Sequence, residues 1–260
     1  MDLNLDGNVA LVTGSATGLG HSCAEALSRE GANVALASPN IDDLAYASDR
    51  LHALGDGELF ALEADIRDPK QVTAFVEETV GQYGTIDHVV TGPRRLEPDG
   101  FLDVTDEDWF RAFDRSFMSV VWTLRETHPY LAESAHGTVV NVTGPAVPAL
   151  AGDLPVASSF GGAVRELTRT QAQALAPSVR VNTVVPGPHQ VEDMELLLTE
   201  LVDDGHYESL EAAWSDVLAD VPFDAPGDPL HLGRAVAFLS SEYAGFINGA
   251  TLPVDGGAAR

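Results

Sequence analysis

The chain has 260 residues, of which 40 are acidic and 14 basic, for a formal net charge of -26. A surface this negative repels phosphate backbones, which argues against a nucleic-acid partner. The single cysteine, Cys23, excludes an internal disulfide and a multi-cysteine metal site. No signal-peptide pattern opens the chain, and no apolar run reaches the length of a membrane span, so a cytoplasmic protein with no membrane partner is expected.

In chain order, apolar runs of strand length alternate with stretches of helical period. "NVALVT" (8–13) reads as a strand and is followed by a helix, "GHSCAEALSREG", that ends at Gly31. A second strand (33–38) precedes a helix over 41–54, and a third strand covers 59–65. Asp68-Pro69 opens a helix running to about Tyr83, with proline at a favoured first-turn position. A fourth strand (87–91) leads through the loop "GPRRLEPDG" into one long helix from about Asp106 to Ala132. "GTVVNVT" (137–143) is a fifth strand, the next helix spans about Phe160 to Ala176, and "VRVNTVV" (179–185) is a sixth strand. Residues 188–226 read as an inserted helical flap, "DPLHLGRAVAFLS" as a further helix, and "GATLPVDGG" as a short closing strand. This alternation, without a break in composition, predicts a single α/β domain over 1–260. Its core would be one Rossmann-type, doubly wound parallel sheet of about seven strands, with helices on both faces.

The acids are spread along the chain, and Lys70 is the only lysine. An even acidic coat with almost no lysine is expected in a salty cell interior, where screening relieves self-repulsion.

The segment carrying most chemical information is "TGSATGLG" (13–20), at the end of the first strand and the start of the first helix. Gly14 permits a tight turn, Gly18 allows backbone to approach a phosphate, and Gly20 allows the helix to pack near the strand. The helix N-terminus then offers free N–H groups and the positive end of its dipole to a pyrophosphate.

In this loop the chain resembles the short-chain dehydrogenase/reductase family, whose T-G-x-x-x-G-x-G pattern runs from Thr13 to Gly20. "ADIRD" (64–68), "RVNTVVPG" (180–187) and "GATLPVDGG" (249–257) are similar to further family segments in the same order. The loop from Thr91 to Trp109 resembles the branch that holds the 3-oxoacyl reductases. The resemblance implies NAD or NADP as cofactor. It assigns Gly14, Ser15, Thr17, Gly18, Leu19 and Gly20 to the phosphate turn and Ser38 to the ribose end of the second strand. It sets Asp65 and Ile66 beside the adenine and Pro186 and Gly187 by the nicotinamide, and it puts Thr91 and Gly92 at the cofactor-side asparagine positions after the fourth strand. "SPN" (38–40) carries neither the acid nor the arginine that selects between the two cofactors. Asp42 and Asp43 nearby lean the choice toward NAD. A dimer or tetramer built through helices 106–132 and 160–176 is also implied, or a mixed oligomer with an active homologue.

The chain departs from the family at its chemistry. A tyrosine, a lysine four residues later, a serine and an asparagine are expected. This chain has Ala157, Gly161, Gly144 (with Thr143 one residue before) and Ser116 at those positions. There is no Tyr-x-x-x-Lys anywhere, and Tyr46 with Arg50 reads as a surface pair. Hydride transfer to a carbonyl builds alkoxide charge that a proton donor must meet. Ser158 and Ser159 read as helix N-caps or packing residues, His21 as an ordinary helix residue, and Cys23 as core. His189 titrates in a useful range but reads first as a solvent-exposed flap histidine. Arg94 and Arg95 read as a solvated loop that could hold an anionic substrate. Two functions stay open. One is a binding or partner subunit that is catalytically silent or strongly divergent. The other is an NAD(P)(H)-dependent oxidoreductase on a carbonyl or alcohol, with a non-standard proton donor.

Overall fold

The structure is a computed structural model that describes residues 2–55, 57–92, 100–144, 147–150 and 154–258. Among these, seven strands form one parallel sheet in the order β3-β2-β1-β4-β5-β6-β7. The strands are β1 (Val9–Thr13), β2 (Asn33–Ser38), β3 (Leu59–Glu63), β4 (His88–Thr91), β5 (Thr138–Val142), β6 (Arg180–Pro186) and β7 (Thr251–Val254). The helices are α1 (Gly18–Arg29), α2 (Ile41–His52), α3 (Pro69–Tyr83), α4 (Asp106–Phe113), α5 (Ser119–Glu133), α6 (Pro155–Leu175), α7 (Glu192–Asp203), α8 (Leu210–Leu218) and α9 (Pro229–Ser240).

The central strands lie beneath helices on both faces, so they are apolar on both sides rather than alternating. β1, β4 and β5 are buried along their whole length. Leu11 and Val12 have no exposed surface, and each such side chain contributes roughly 1.5–3 kcal/mol by leaving water. One apolar cluster joins Val12, Leu27, Leu36 and Val236 on the face of α1 and α9. Another joins Leu11, Phe75, Val89 and Leu131 on the face of α3 and α5. A third, smaller cluster joins Leu154 to Met194, Leu198, Ala213 and Val217, and it packs α7 and α8 down beside the start of α6.

The helix starts follow local rules. Asp68 caps α3 by accepting from Lys70 N at 2.9 Å, with Pro69 in the first turn. Asp228 and Pro229 repeat that arrangement at α9. Thr105 and Asp108 form a reciprocal capping box at α4. Gly31, just past the end of α1, has φ +83 and stops that helix as expected.

Two helices differ from the sequence expectation. The long helix over 106–132 is broken by a π-helical turn, Asp114–Met118, in which Ser119 N bonds Asp114 O five residues back. α6 begins at Pro155, not at Phe160. Pro155 is pre-set for a first helical position, and Ser158 N already bonds Leu154 O at 3.0 Å. Ser158 and Ser159 are therefore exposed residues of the first turns of α6, not its N-caps.

The strand order steps outward in opposite directions from β1 and β4. Between them lies the switch point where the sheets of this architecture open a crevice at the strands' carboxyl ends.

Candidate functional site

The crevice has two parts. The outer part, at the β1–α1 turn, is lined by Gly14, Ala16, Thr17, Ala37, Ser38, Pro39, Asn40, Asp43, Arg67, Arg115 and Asp193. The deeper part encloses about 140 Å³ and runs between the ends of β4 and β5, the α4–π–α5 segment and the first turns of α6.

In the outer part, the turn after β1 is built by contacts that only glycine permits. Gly14 and Gly18 have φ +61 and +58, the left-handed region. A Cβ on Gly20 would stand 2.0 Å from Gly14 O, and a Cβ on Gly92 would stand 2.4 Å from Thr13 O. Gly92 N also bonds Thr13 O at 3.1 Å and Thr13 Oγ1 at 3.2 Å, which locks the turn after β4 to the end of β1. Ser15 is fully buried, and its Oγ accepts from Ala37 N at 3.3 Å, holding the turn to β2. Thr17 is the N-cap of α1 but makes no side-chain cap bond, and the first turn of α1 carries no acid.

Of the residues assigned to the cofactor, Gly14, Thr17, Ser38, Thr91 and Gly92 line the crevice. Gly18 borders an adjoining recess together with Thr17 and the buried His21. Ser15, Leu19, Gly20 and Ile66 are not among the crevice-lining residues; they shape the walls from inside. Asp65 is paired with Arg67 at 2.5 Å. A Cβ on Gly187 would lie 2.6 Å from Asp255 Cα, so the Pro186-Gly187 turn is pressed against the chain after β7.

Beneath the deeper part runs a buried polar chain. Thr91 Oγ1 donates to Asn141 Oδ1 at 2.9 Å, and Asn141 Nδ2 donates to Thr168 Oγ1 at 2.8 Å. Thr183 Oγ1 completes it, 2.8 Å from Thr168 Oγ1. This ties β4, β5, β6 and α6 together below the floor. Buried hydroxyls and amides need such partners, because an unpaired one costs roughly 1–3 kcal/mol.

The walls of the deeper part carry Ser116, Ser119, Thr143, Gly144, Ala157, Phe160 and Gly161. Ala157 and Gly161, one helical turn apart, share the crevice face of α6. Phe160 packs edge-on against Trp109 at 6.0 Å and tilted against Phe113 at 6.0 Å, which joins α6 to α4. No tyrosine, lysine, histidine or cysteine stands among the described residues lining this part. Its ionisable groups are Arg67, Asp108, Arg111 and Arg115, and Asp108 forms an ion pair with Arg111. Hydrogen bonds from Thr105, more than the Arg111 charge, hold the Asp108 carboxyl below its usual range.

His189 is not a solvent-exposed flap residue. It is buried at 2% exposure, its Nδ1 lies 3.0 Å from Gly187 O, and its ring stacks so close to Gly227 that a Cβ there would meet Cδ2 at 2.8 Å. Burial lowers its pKa, and it lines neither part of the crevice. Cys23 is core as expected, its thiol pushed up to about 12 by burial. Tyr46 and Arg50 form an exposed cation–π pair at 5.7 Å. Arg94 and Arg95 lie outside the described residues.

Asp108, Arg111, Arg115, Ser119 and Asp193 went unassigned from sequence. Asp108, Arg111, Arg115 and Ser119 recur at three- and four-residue steps, a signal that one face of α4–α5 lines a site. Asp193 gave no such signal, because it reaches the crevice from α7 across the whole fold.

A family model described as enoyl-(acyl carrier protein) reductase matches residues 14–259. A probable tetrahydroxynaphthalene reductase of Zymoseptoria tritici is 31% identical over 98% of this chain and 95% of its own. Among solved structures, L-sorbose reductase of Gluconobacter frateurii, complexed with NADPH and L-sorbose, superposes with a TM-score of 0.92 at 24% identity. It covers 100% of this chain and 99% of that one, and establishes the fold alone. The apo short-chain oxidoreductase of Pseudomonas aeruginosa PAO1, described as containing an atypical catalytic center, has a TM-score of 0.86 at 27% identity, covering 98% of each chain. Glycine turn, sheet order and near-complete matches agree: the chain belongs to the short-chain dehydrogenase/reductase family of NAD(P)-dependent oxidoreductases.

Proposed function

We propose that this chain binds NAD or NADP in the crevice and is catalytically silent, or strongly divergent, toward the family's reaction. The observation that carries this reading is the contrast within the crevice. The glycine turn keeps the geometry that receives a pyrophosphate, while the described lining of the deeper part holds no tyrosine, lysine, histidine or cysteine.

The chain's residues fit the group. The positive end of α1 faces the crevice without an acid of its own first turn, and the turn before it has glycine where a side chain would crowd the backbone. Gly14, Ser15, Thr17, Gly18, Leu19 and Gly20 would form the phosphate cradle, and Ser38 would meet the ribose. Asp65 and Ile66 would border the adenine, Pro186 and Gly187 the nicotinamide, and Thr91 and Gly92 the cofactor at the end of β4. The bound dinucleotide would supply a hydride. A carbonyl acceptor would then need a proton at its oxygen. The hydroxyls of Ser116 and Thr143 stand nearby, but an unassisted hydroxyl is a poor acid near neutral pH. Asp43 beside Ser38 supports the lean toward NAD.

Calorimetric titration of the full chain with NADH and NADPH tests the reading. Saturable binding of at least one is expected, and binding of neither overturns it. Turnover of a carbonyl by pure protein with either cofactor overturns the silence.

A second reading is an oxidoreductase acting on a carbonyl or alcohol with a non-standard donor. The relative with an atypical catalytic center favours it, as does Arg115 beside Ser116 in the deeper part. His189 is poorly sited for that task, so water or a substrate group remains as proton source; turnover unchanged in His189→Ala would support this.

We further propose one domain over 1–260, with 188–226 acting as a flap beside the crevice, and a homo-oligomer. Exposed Phe101, Leu102, Phe110 and Phe113, near or on α4, support the oligomer. The acidic coat supports a high-salt cell interior, and no helix among the described residues is long and apolar enough to cross a membrane.

A further inference from the structure

The flap places a carboxylate on the phosphate turn. Asp193 Oδ2 lies 2.6 Å, and Cγ 3.4 Å, from where a Cβ on Gly18 would stand. Gly18 is the first residue of α1, and Asp193 lines the nucleotide side of the crevice together with Gly14, Ala16 and Thr17. Asp193 comes from the first turn of α7, between Glu192 and Glu195, so its own helix has other acids at its N-terminal pole. α1 has none in its first turn, and its N-cap Thr17 makes no side-chain cap bond. The positive end of α1 is thus met by an anion from a segment far away in sequence.

From this contact we infer that Asp193 is an affinity-determining residue: its carboxylate competes with the dinucleotide's diphosphate for the N-terminus of α1. The inference rests on the dinucleotide reading above. A carboxylate and a diphosphate cannot share that pole without like-charge repulsion, so nucleotide entry displaces Asp193, and with it the start of α7. Arg67 and Arg115 line both parts of the crevice and are the cations of its nucleotide side.

The test is calorimetry of the full chain with ADP, which carries the diphosphate, and with adenosine, which does not. Asp193→Asn keeps the side chain's shape and removes its charge. It should bind ADP roughly five- to tenfold more tightly than the parent chain, with the gain shrinking in molar salt and adenosine binding unchanged. Glu195→Gln, on the same turn but exposed, should leave ADP affinity unchanged. If the parent chain binds ADP and Asp193→Asn binds it equally or more weakly, the competition is overturned while the nucleotide reading stands. A gain of the same size in Glu195→Gln also overturns it, since diffuse charge would then explain both. If neither chain binds ADP or either dinucleotide, the nucleotide reading falls and this inference with it.

Discussion

The crevice has glycines at both ends, and they are there for different reasons. At the β1–α1 turn, a Cβ on Gly20 would stand 2.0 Å from Gly14 O, and a Cβ on Gly92 2.4 Å from Thr13 O. No rotamer change relieves a backbone collision of that kind. On α6, a Cβ on Gly161 would meet only Thr143 Cβ at 3.8 Å, and one on Gly162 only an Arg165 guanidinium nitrogen at 3.7 Å. Both are ordinary contacts, and both glycines sit inside a helix, where glycine costs about 1 kcal/mol relative to alanine. The first end is glycine by geometric necessity. The second carries glycine where a Cβ would meet only ordinary contacts, so the absence of a tyrosine and a lysine from this face of α6 is a matter of residue choice.

The largest expected effect breaks the first end. Gly20→Ala should lower stability by about 3 kcal/mol or more, a drop of roughly 6–12 °C in the thermal midpoint for a chain of this size, and abolish dinucleotide binding. Unchanged melting would show that the turn is not constrained as described. The next rebuilds the second end. Ala157→Tyr combined with Gly161→Lys restores an acid and a cation one helical turn apart on the crevice face. NAD(P)H-dependent reduction of a carbonyl should rise about 100-fold or more over the parent chain. Dinucleotide binding without any gain in turnover would place the defect elsewhere in the crevice.

A control comes from the opposite, amino-terminal end of the strands. His88, fully buried at the start of β4, lies 3.0 Å from Asn8 Nδ2 and 2.8 Å from Thr138 Oγ1, and desolvation lowers its pKa to about 4. The folded state thus resists a proton that the unfolded chain accepts below about pH 6.5, so stability falls as pH drops from about 6.5 toward 4. The loss should be on the order of 2–3 kcal/mol, visible in denaturant midpoints, and His88→Gln should flatten the profile in that window. The smallest effect returns to α6. Gly161→Ala should raise stability by about 0.5–1 kcal/mol and leave dinucleotide affinity unchanged. A loss of stability there would show that Gly161 is needed after all.

Much of this was legible in the sequence for a specific reason. Strands buried on both faces write themselves as short apolar runs, and the helix signals Asp68-Pro69, Thr105/Asp108 and Gly31 are local. The glycine turn was readable because its constraint lies within a few residues, between Gly14 and Gly20. The start of α6 was misplaced by five residues, because "ASSFGG" looks like a loop until Pro155 and Leu154 are seen to begin the helix and Phe160 to pack on Trp109. His189 read as a surface residue because its partners, Gly187 and Gly227, are small and the second is distant in sequence.

The sequence by itself determined the α/β alternation, the glycine turn and the absence of a Tyr-x-x-x-Lys pair, since each is a matter of residue identity or near-neighbour spacing. Only the tertiary structure decided which groups face the crevice. It set the π turn that interrupts the long helix beside Arg115 and Ser116, the buried chain from Thr91 to Thr183, and Asp193 over Gly18. The last two join residues far apart in the sequence. Their energies come from burial and opposed charge across packed elements, which no local pattern encodes.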